Sequence, residues 1–153
     1  MAIDVVIETR IGRPVADVFA RIADIDRWPE WLIASGIVRV ARQSTASALA
    51  AGEQLTVEQR AAGRAGTFAA TVTTFEAPSR LALTGKDGDG VSIDIAASLS
   101  SVDAVVTDLR WSIRIGLPFR YRIFESMAAP QVQRAAALDI EALKRRLESV
   151  ASD

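Results

Sequence analysis

The sequence predicts an α+β domain in which one antiparallel sheet carries helices at its two ends. Three observations carry that prediction: apolar and polar residues alternate near the N-terminus, six further strand-like segments follow with only hairpin-sized connections, and the C-terminal end returns to a helical period. Consecutive strands joined by short turns pair antiparallel, because a parallel pair needs a long crossover. The 153 residues match one ordinary domain, so residues 1–153 are expected to form a single unit.

Ile3, Val5, Ile7 and Thr9 alternate with Asp4, Glu8 and Arg10, with Val6 as the exception, which is the pattern of a half-buried strand. Pro14, at a first helical position, precedes Val15, Val18, Phe19 and Ile22, which share one helical face as far as Asp24. Trp28 and Trp31 flank Pro29 in a second short helix or tight turn. Strands are then expected near residues 37–43, 53–60, 67–76, 80–86, 91–101 and 104–115. The clearest turn is Lys86-Asp-Gly-Asp-Gly90, and Gly63 with Gly66 marks another. Residues 43–51, rich in Ser, Thr and Ala, read as an exposed loop. Val132, Ala136, Ile140, Leu143, Leu147 and Val150 form one stripe, which predicts the longest helix over 132–149. Pro130 must start or kink that helix, since an interior proline removes a hydrogen bond. The predicted order is β-α-α-β6-α, with about seven strands.

Composition excludes much catalytic chemistry. With no cysteine and no histidine, the chain has no thiolate zinc site, thiol nucleophile, imidazole base or Ser-His-Asp triad. A formal charge of -1 gives nucleic acid no general attraction. The N-terminus lacks the basic and apolar blocks of a signal peptide, and no run of about eighteen apolar residues predicts a membrane span. A cytoplasmic location is the expectation. Asp24, Asp26 and Glu30 read as helix-end residues and Asp87 with Asp89 as hairpin residues, so no metal is expected. Gly85-Lys86 lacks the pattern of a phosphate loop, and no cofactor is expected.

The stretch Val18-Phe-Ala-Arg-Ile-Ala-Asp-Ile-Asp-Arg-Trp-Pro-Glu-Trp31 is the most diagnostic part of the chain. Together with Ala70-Thr-Val-Thr-Thr-Phe-Glu-Ala-Pro-Ser-Arg-Leu81 and Asp139-Ile-Glu-Ala-Leu-Lys-Arg-Arg-Leu147, it resembles the START-like / Bet v 1-like (SRPBCC) superfamily, in its bacterial polyketide cyclase/dehydrase and lipid-transport family. The resemblance implies a helix-grip fold, a curved antiparallel sheet wrapped on the long C-terminal helix around an internal cavity. It further implies binding or transport of a hydrophobic small molecule or lipid. The alternative is a polyketide aromatase/cyclase or dehydratase acting on a cavity-bound poly-β-keto substrate.

Strand alternation places Leu55, Val57 and Gln59, then Phe68, Ala70, Val72 and Thr74, then Leu81 and Leu83, then Ile93, Ile95, Ala97 and Leu99 on the inner face. Val105, Thr107, Leu109, Trp111, Ile113 and Ile115 follow by the same rule. Such a face forms either a filled core or a pocket with sparse polar handles. The expected ligand contacts are Trp31, Val57, Gln59, Val72, Leu83, Ile95, Leu109, Trp111, Tyr121 and Ile140. Trp31 borders the mouth or plugs the core, and Trp28 reads as a plug. Glu58 and Arg60 are expected as a solvated pair on the outer face.

Two groups qualify as proton-transfer candidates. Tyr121, the single tyrosine, could polarise a carbonyl, and Asp139, at the edge of the helical stripe, would have a raised pKa if buried. A solvated phenol and a stripe-edge carboxylate facing water or arginine are the plain structural readings. The segment Phe119–Phe124 mixes aromatics with Arg120 and Arg122, offering transient contact with an anionic membrane or a carrier protein without stable insertion. The chain is expected as a monomer or homodimer.

Overall fold

A computed structural model describes residues 2–46, 48–61 and 63–150, except for the side chains of residues 61, 64 and 150. Among the described residues, the strands are β1 (Ala2–Ile11), β2 (Ile37–Arg42), β3 (Gln54–Ala61), β4 (Arg64–Glu76), β5 (Arg80–Asp87), β6 (Ser92–Asp103) and β7 (Val106–Gly116). They form one sheet in the order β1-β7-β6-β5-β4-β3-β2, every neighbouring pair antiparallel. The helices are α1 (Val15–Ala23), α2 (Trp28–Trp31) and α3 (Glu125–Val150), with 3-10 turns at Ile25–Arg27 and Phe119–Phe124.

From β2 to β7 the chain is a meander, and β1 joins it beside β7. The segment between β1 and β2 therefore crosses from one edge of the sheet to the other. On the way α1 packs over β6 and β7, α2 reaches β2, and α3 lies against β1 and α2. This is the helix-grip arrangement, with the core between sheet and helices.

Register is fixed by both faces of β1. Outside, Asp4, Glu8 and Arg10 stand opposite Arg114, Arg110 and Asp108 and form ion pairs at 3.4, 3.4 and 2.8 Å. Exposed pairs of this kind contribute only about 0–1 kcal/mol each. A one-residue slip, however, would also turn the buried Ile3, Val5 and Ile11 to solvent.

The structure departs from simple alternation at several places. The β4–β5 register shifts between Val72 and Thr74, so Phe75, not Thr74, stands inward opposite Leu81, with its ring 5.5 Å from that of Phe19. Val105 is exposed because it lies in the turn before β7, where its N–H donates to the Asp103 carboxylate. Glu58 pairs with Arg39 across the β2–β3 ladder at 3.9 Å rather than with Arg60. The 43–51 loop is not wholly exposed: Leu49 is buried, and Arg42 holds the loop by donating to Glu53 at 2.9 Å and to the Ala48 carbonyl. Pro14 is the N-cap of α1 and not its first residue.

The last helix begins at Glu125, well before the predicted 132, and Pro130 lies inside it. Residues 125–129 include Glu, Met and two Ala, good helix formers that extend the helix upstream. The exposed proline costs one bond, leaving the Ser126 carbonyl without its helical donor. Ala136, Ile140, Leu143 and Leu147 are buried at helical spacing. Val150, also assigned to this stripe, has its side chain outside the described set. The C-terminal end of α3 is clamped by the β1–α1 turn. There Arg13 donates to the Leu147 carbonyl, the Gly12 amide donates to Glu148, and Thr107 donates to the Arg13 carbonyl.

Leu143 has no exposed surface, so its truncation tests the grip directly. Leu143→Ala should lower unfolding free energy by about 2–5 kcal/mol in urea titration. A loss below about 0.5 kcal/mol, typical of surface sites, would contradict this packing.

Candidate functional site

Between the sheet and the N-terminal part of α3 lies a cavity of about 350 Å³. Its sheet wall is formed by Ile37, Phe68, Ile93, Ile95, Trp111, Ile113 and Ile115, with Gln59 and Arg60 from β3. The helix contributes Ala128, Gln131, Val132 and Ala135, and the segment after α2 contributes Leu32, Ala34 and Ser35. The exposed Ala34, Arg60 and Gln131 mark its mouth. Arg60 also borders an outer depression with Val38 and Glu58, as its position on the outward side of β3 requires.

Side-chain size along α3 explains why space is left here. Toward the C-terminus Ile140, Leu143 and Leu147 fill the gap to the sheet, whereas Ala128, Val132 and Ala135, at helical spacing, do not reach as far. A tryptophan cluster closes the inner end. Trp31 and Trp111 lie 5.4 Å apart, Trp28 and Trp111 6.2 Å, and Trp28 and Trp31 6.4 Å, all edge to face. The Trp28 indole N–H donates to the Ile22 carbonyl, while those of Trp31 and Trp111 are buried with no hydrogen-bond partner among the described residues.

The wall segment at 33–36 is held by polar ties. Asp139, 1% exposed, accepts the Ala34 amide at 2.7 Å with one carboxylate oxygen and the Ser35 amide at 3.1 Å with the other. Gln59 donates its side-chain amide to the Ser35 carbonyl at 2.8 Å, and the Arg60 amide donates to the Gly36 carbonyl at 2.7 Å. Gly36 has φ +77°, and a Cβ there would fall 1.8 Å from the Arg60 carbonyl oxygen, so only glycine fits. Burial pushes the Asp139 carboxyl above its ordinary value, while hydrogen bonds from the Ser35 side chain and the Ala34 and Ser35 amides hold it down.

Tyr121 lies in an adjoining depression of about 360 Å³, which shares Gln59 and Ala128 with the cavity and also meets Asp87, Asp89 and Phe124. The Arg120 guanidinium sits 4.8 Å over its ring and donates to the Asp89 carbonyl. Asp87 is occupied as a turn former, one oxygen accepting the Asp89 and Val91 amides. Of the other acidic residues, Asp24 and Glu30 flank Arg27 at 3.5 and 3.8 Å.

Of the residues assigned to ligand contact by sequence, Gln59, Ile95 and Trp111 stand on the cavity wall and Tyr121 beside it. Trp31, Val57, Val72, Leu83, Leu109 and Ile140 lie off the wall, buried in the packed core. The strand residues among them face inward as alternation requires, but against packed side chains instead of the cavity. Sequence reasoning missed Leu32, Ala34, Ser35 and Ile37, which follow the tryptophan motif, and Ala128, Gln131 and Ala135. The small residues spaced around Val132 were the available signal.

The fold and the apolar cavity between its sheet and helix define a START-like, helix-grip protein. The chain belongs to the polyketide cyclase / dehydrase and lipid transport family, whose model matches residues 2–148. No curated protein matches it. Among solved structures it is similar to a START superfamily protein from Mycobacterium smegmatis, with 13% identity, coverage of 96% of this chain and 98% of that one, and a TM-score of 0.76. It is also similar to the Zhui aromatase/cyclase from Streptomyces sp. R1128, with 14% identity, 97% and 94% coverage, and a TM-score of 0.76. A di-domain aromatase/cyclase, StfQ of the steffimycin biosynthetic pathway, gives 10% identity and a TM-score of 0.77 over all of this chain and 53% of its own. These likenesses show the fold. Among the described residues, no helix is long and apolar enough to cross a membrane.

Asp139 supplies a pH test. Its raised native pKa means the folded state holds the proton more tightly than the unfolded chain. Stability contributed by this group is therefore fully present below the unfolded value of about 3.9 and falls as pH rises toward the native value. Asp139→Asn should remove that slope. It should also cost about 1–3 kcal/mol, because an amide offers one acceptor oxygen to two backbone N–H groups. Urea titrations across the acid range check both, and an unchanged slope with unchanged stability would show that the carboxylate is not the tie.

Proposed function

We propose that the protein binds and carries a hydrophobic small molecule in the cavity between the sheet and α3, without covalent chemistry. The wall itself carries this reading. It is apolar, with Gln59, Ser35 and Gln131 as neutral polar handles. A general acid or base must reach the substrate within hydrogen-bond distance. Among the described wall residues, Arg60 is the only titratable side chain, and guanidinium stays protonated. The buried carboxylate, Asp139, has both oxygens engaged by backbone amides.

Size narrows the ligand further. At about 350 Å³ the cavity lies at the small end of the range for small-molecule pockets. That suits one acyl chain or a small ring system, with any larger part leaving through the mouth.

The aromatase/cyclase reading has one observation of its own, the Tyr121 phenol in the adjoining depression. A poly-β-keto chain spanning both spaces would meet this donor, as in general-acid polarisation of a carbonyl.

Titration with phenylnaphthylamine, a neutral apolar dye, tests the binding site. The native protein should bind saturably, and Ala135→Phe, which fills the cavity from the helix side, should weaken affinity at least about tenfold with the fold retained. Equal affinity in both proteins would place the dye elsewhere and remove the reading. Native mass spectrometry with organic extraction identifies any co-purified ligand. Turnover of a poly-β-keto mimic, lost in Tyr121→Phe with dye binding intact, would replace the carrier reading with the cyclase one.

A further inference from the structure

The link between β7 and α3 carries a surface that neither the core nor the cavity uses. Phe119 is 84% exposed, Ile123 78%, Met127 67% and Phe124 50%. Exposed large apolar side chains are ordinarily scattered singly, whereas these fall within one short stretch of chain. Phe119, Ile123 and Met127 follow one another along a 3-10 turn that runs directly into α3.

Two arginines are interleaved with them. Arg122 lies 5.8 Å over the Phe119 ring and Arg120 lies over Tyr121. Among the described residues, neither forms an ion pair with a carboxylate. The nearby acids are Glu125 and the hairpin residues Asp87 and Asp89, of which Asp87 is engaged by backbone amides.

We propose that this surface docks the protein onto an anionic lipid bilayer, with Phe119, Ile123 and Met127 entering the interfacial layer and Arg120 and Arg122 beside the headgroups. Aromatic and aliphatic side chains flanked by arginine are the composition that partitions into that layer. The shape favours lipid over a folded partner. Side chains this exposed stand clear of their own surface, so a rigid protein would need a matching socket for each, whereas fluid lipid closes around them. The position is also close to the site, because Phe124 and Tyr121 border the depression that adjoins the cavity, with Gln59 and Ala128 common to both.

Co-sedimentation with phosphatidylcholine vesicles, with and without phosphatidylglycerol, tests the surface independently of whether the cavity binds anything. The native protein should pellet with the anionic vesicles and less with the neutral ones. Phe119→Ala/Ile123→Ala should lower the partition at least about tenfold. Both side chains are exposed, so thermal unfolding should be unchanged. Arg120→Ala/Arg122→Ala should abolish the preference for anionic lipid. Native protein that stays in the supernatant with both vesicle types would overturn the proposal, as would a double alanine variant that pellets equally well. Concentration-dependent self-association of the native protein, lost in Phe119→Ala/Ile123→Ala, would assign the surface to a second copy instead.

Discussion

The packing of one helix against one sheet controls the molecule. A single buried stripe on α3 must satisfy two demands along its length, closing a core at one end and leaving room at the other. It does so by residue size alone. Ile140, Leu143 and Leu147 reach the sheet, while Ala128 and Ala135 stop short. Packing at near-crystalline density tolerates no accidental void, so a space of this size requires small residues facing a rigid wall. The β-branched Ile93, Ile95, Ile113 and Ile115 provide that wall with few rotamers to collapse into the gap.

Polar groups hold the helix at two places in different ways. At the closed end, Arg13 and Gly12 tie the β1–α1 turn to the last turn of α3, giving one of its orphan carbonyls a donor. Near the middle, Asp139 reaches out to two amides of a chain segment that has no regular structure of its own. Burying a carboxylate is costly, and its hydrogen bonds recover part of that cost. The segment so fixed is part of the cavity wall. Asp139, which helical periodicity placed at the stripe edge as a proton-transfer candidate, thus ties this wall segment in place.

The fold was legible because its signals are local. Alternation in β1 and β7, glycine turns and the helical period of residues 136–147 each report on their own neighbourhood. The bulge at Val72 to Thr74 was not, since an extra residue in one strand is defined only by its partner. The site was partly legible for the same reason. Alternation correctly turned Val57, Val72, Leu83 and Leu109 inward, but whether an inward residue meets a cavity or another side chain depends on α3, far away in sequence. Ala34 and Ser35 carried no pattern at all, because their place on the wall comes from the long-range bond to Asp139.

The indole cluster has an optical consequence. All three tryptophans of the chain are gathered at the inner end of the cavity, within 6.4 Å of one another. Chromophores this close exchange excitation, so the tryptophan emission and the tryptophan part of the near-ultraviolet dichroism arise from a single coupled group. Trp111 is both a member of that group and part of the wall. A molecule entering the cavity thus perturbs the entire tryptophan signal and not a fraction of it, and the native chain serves as its own label-free sensor.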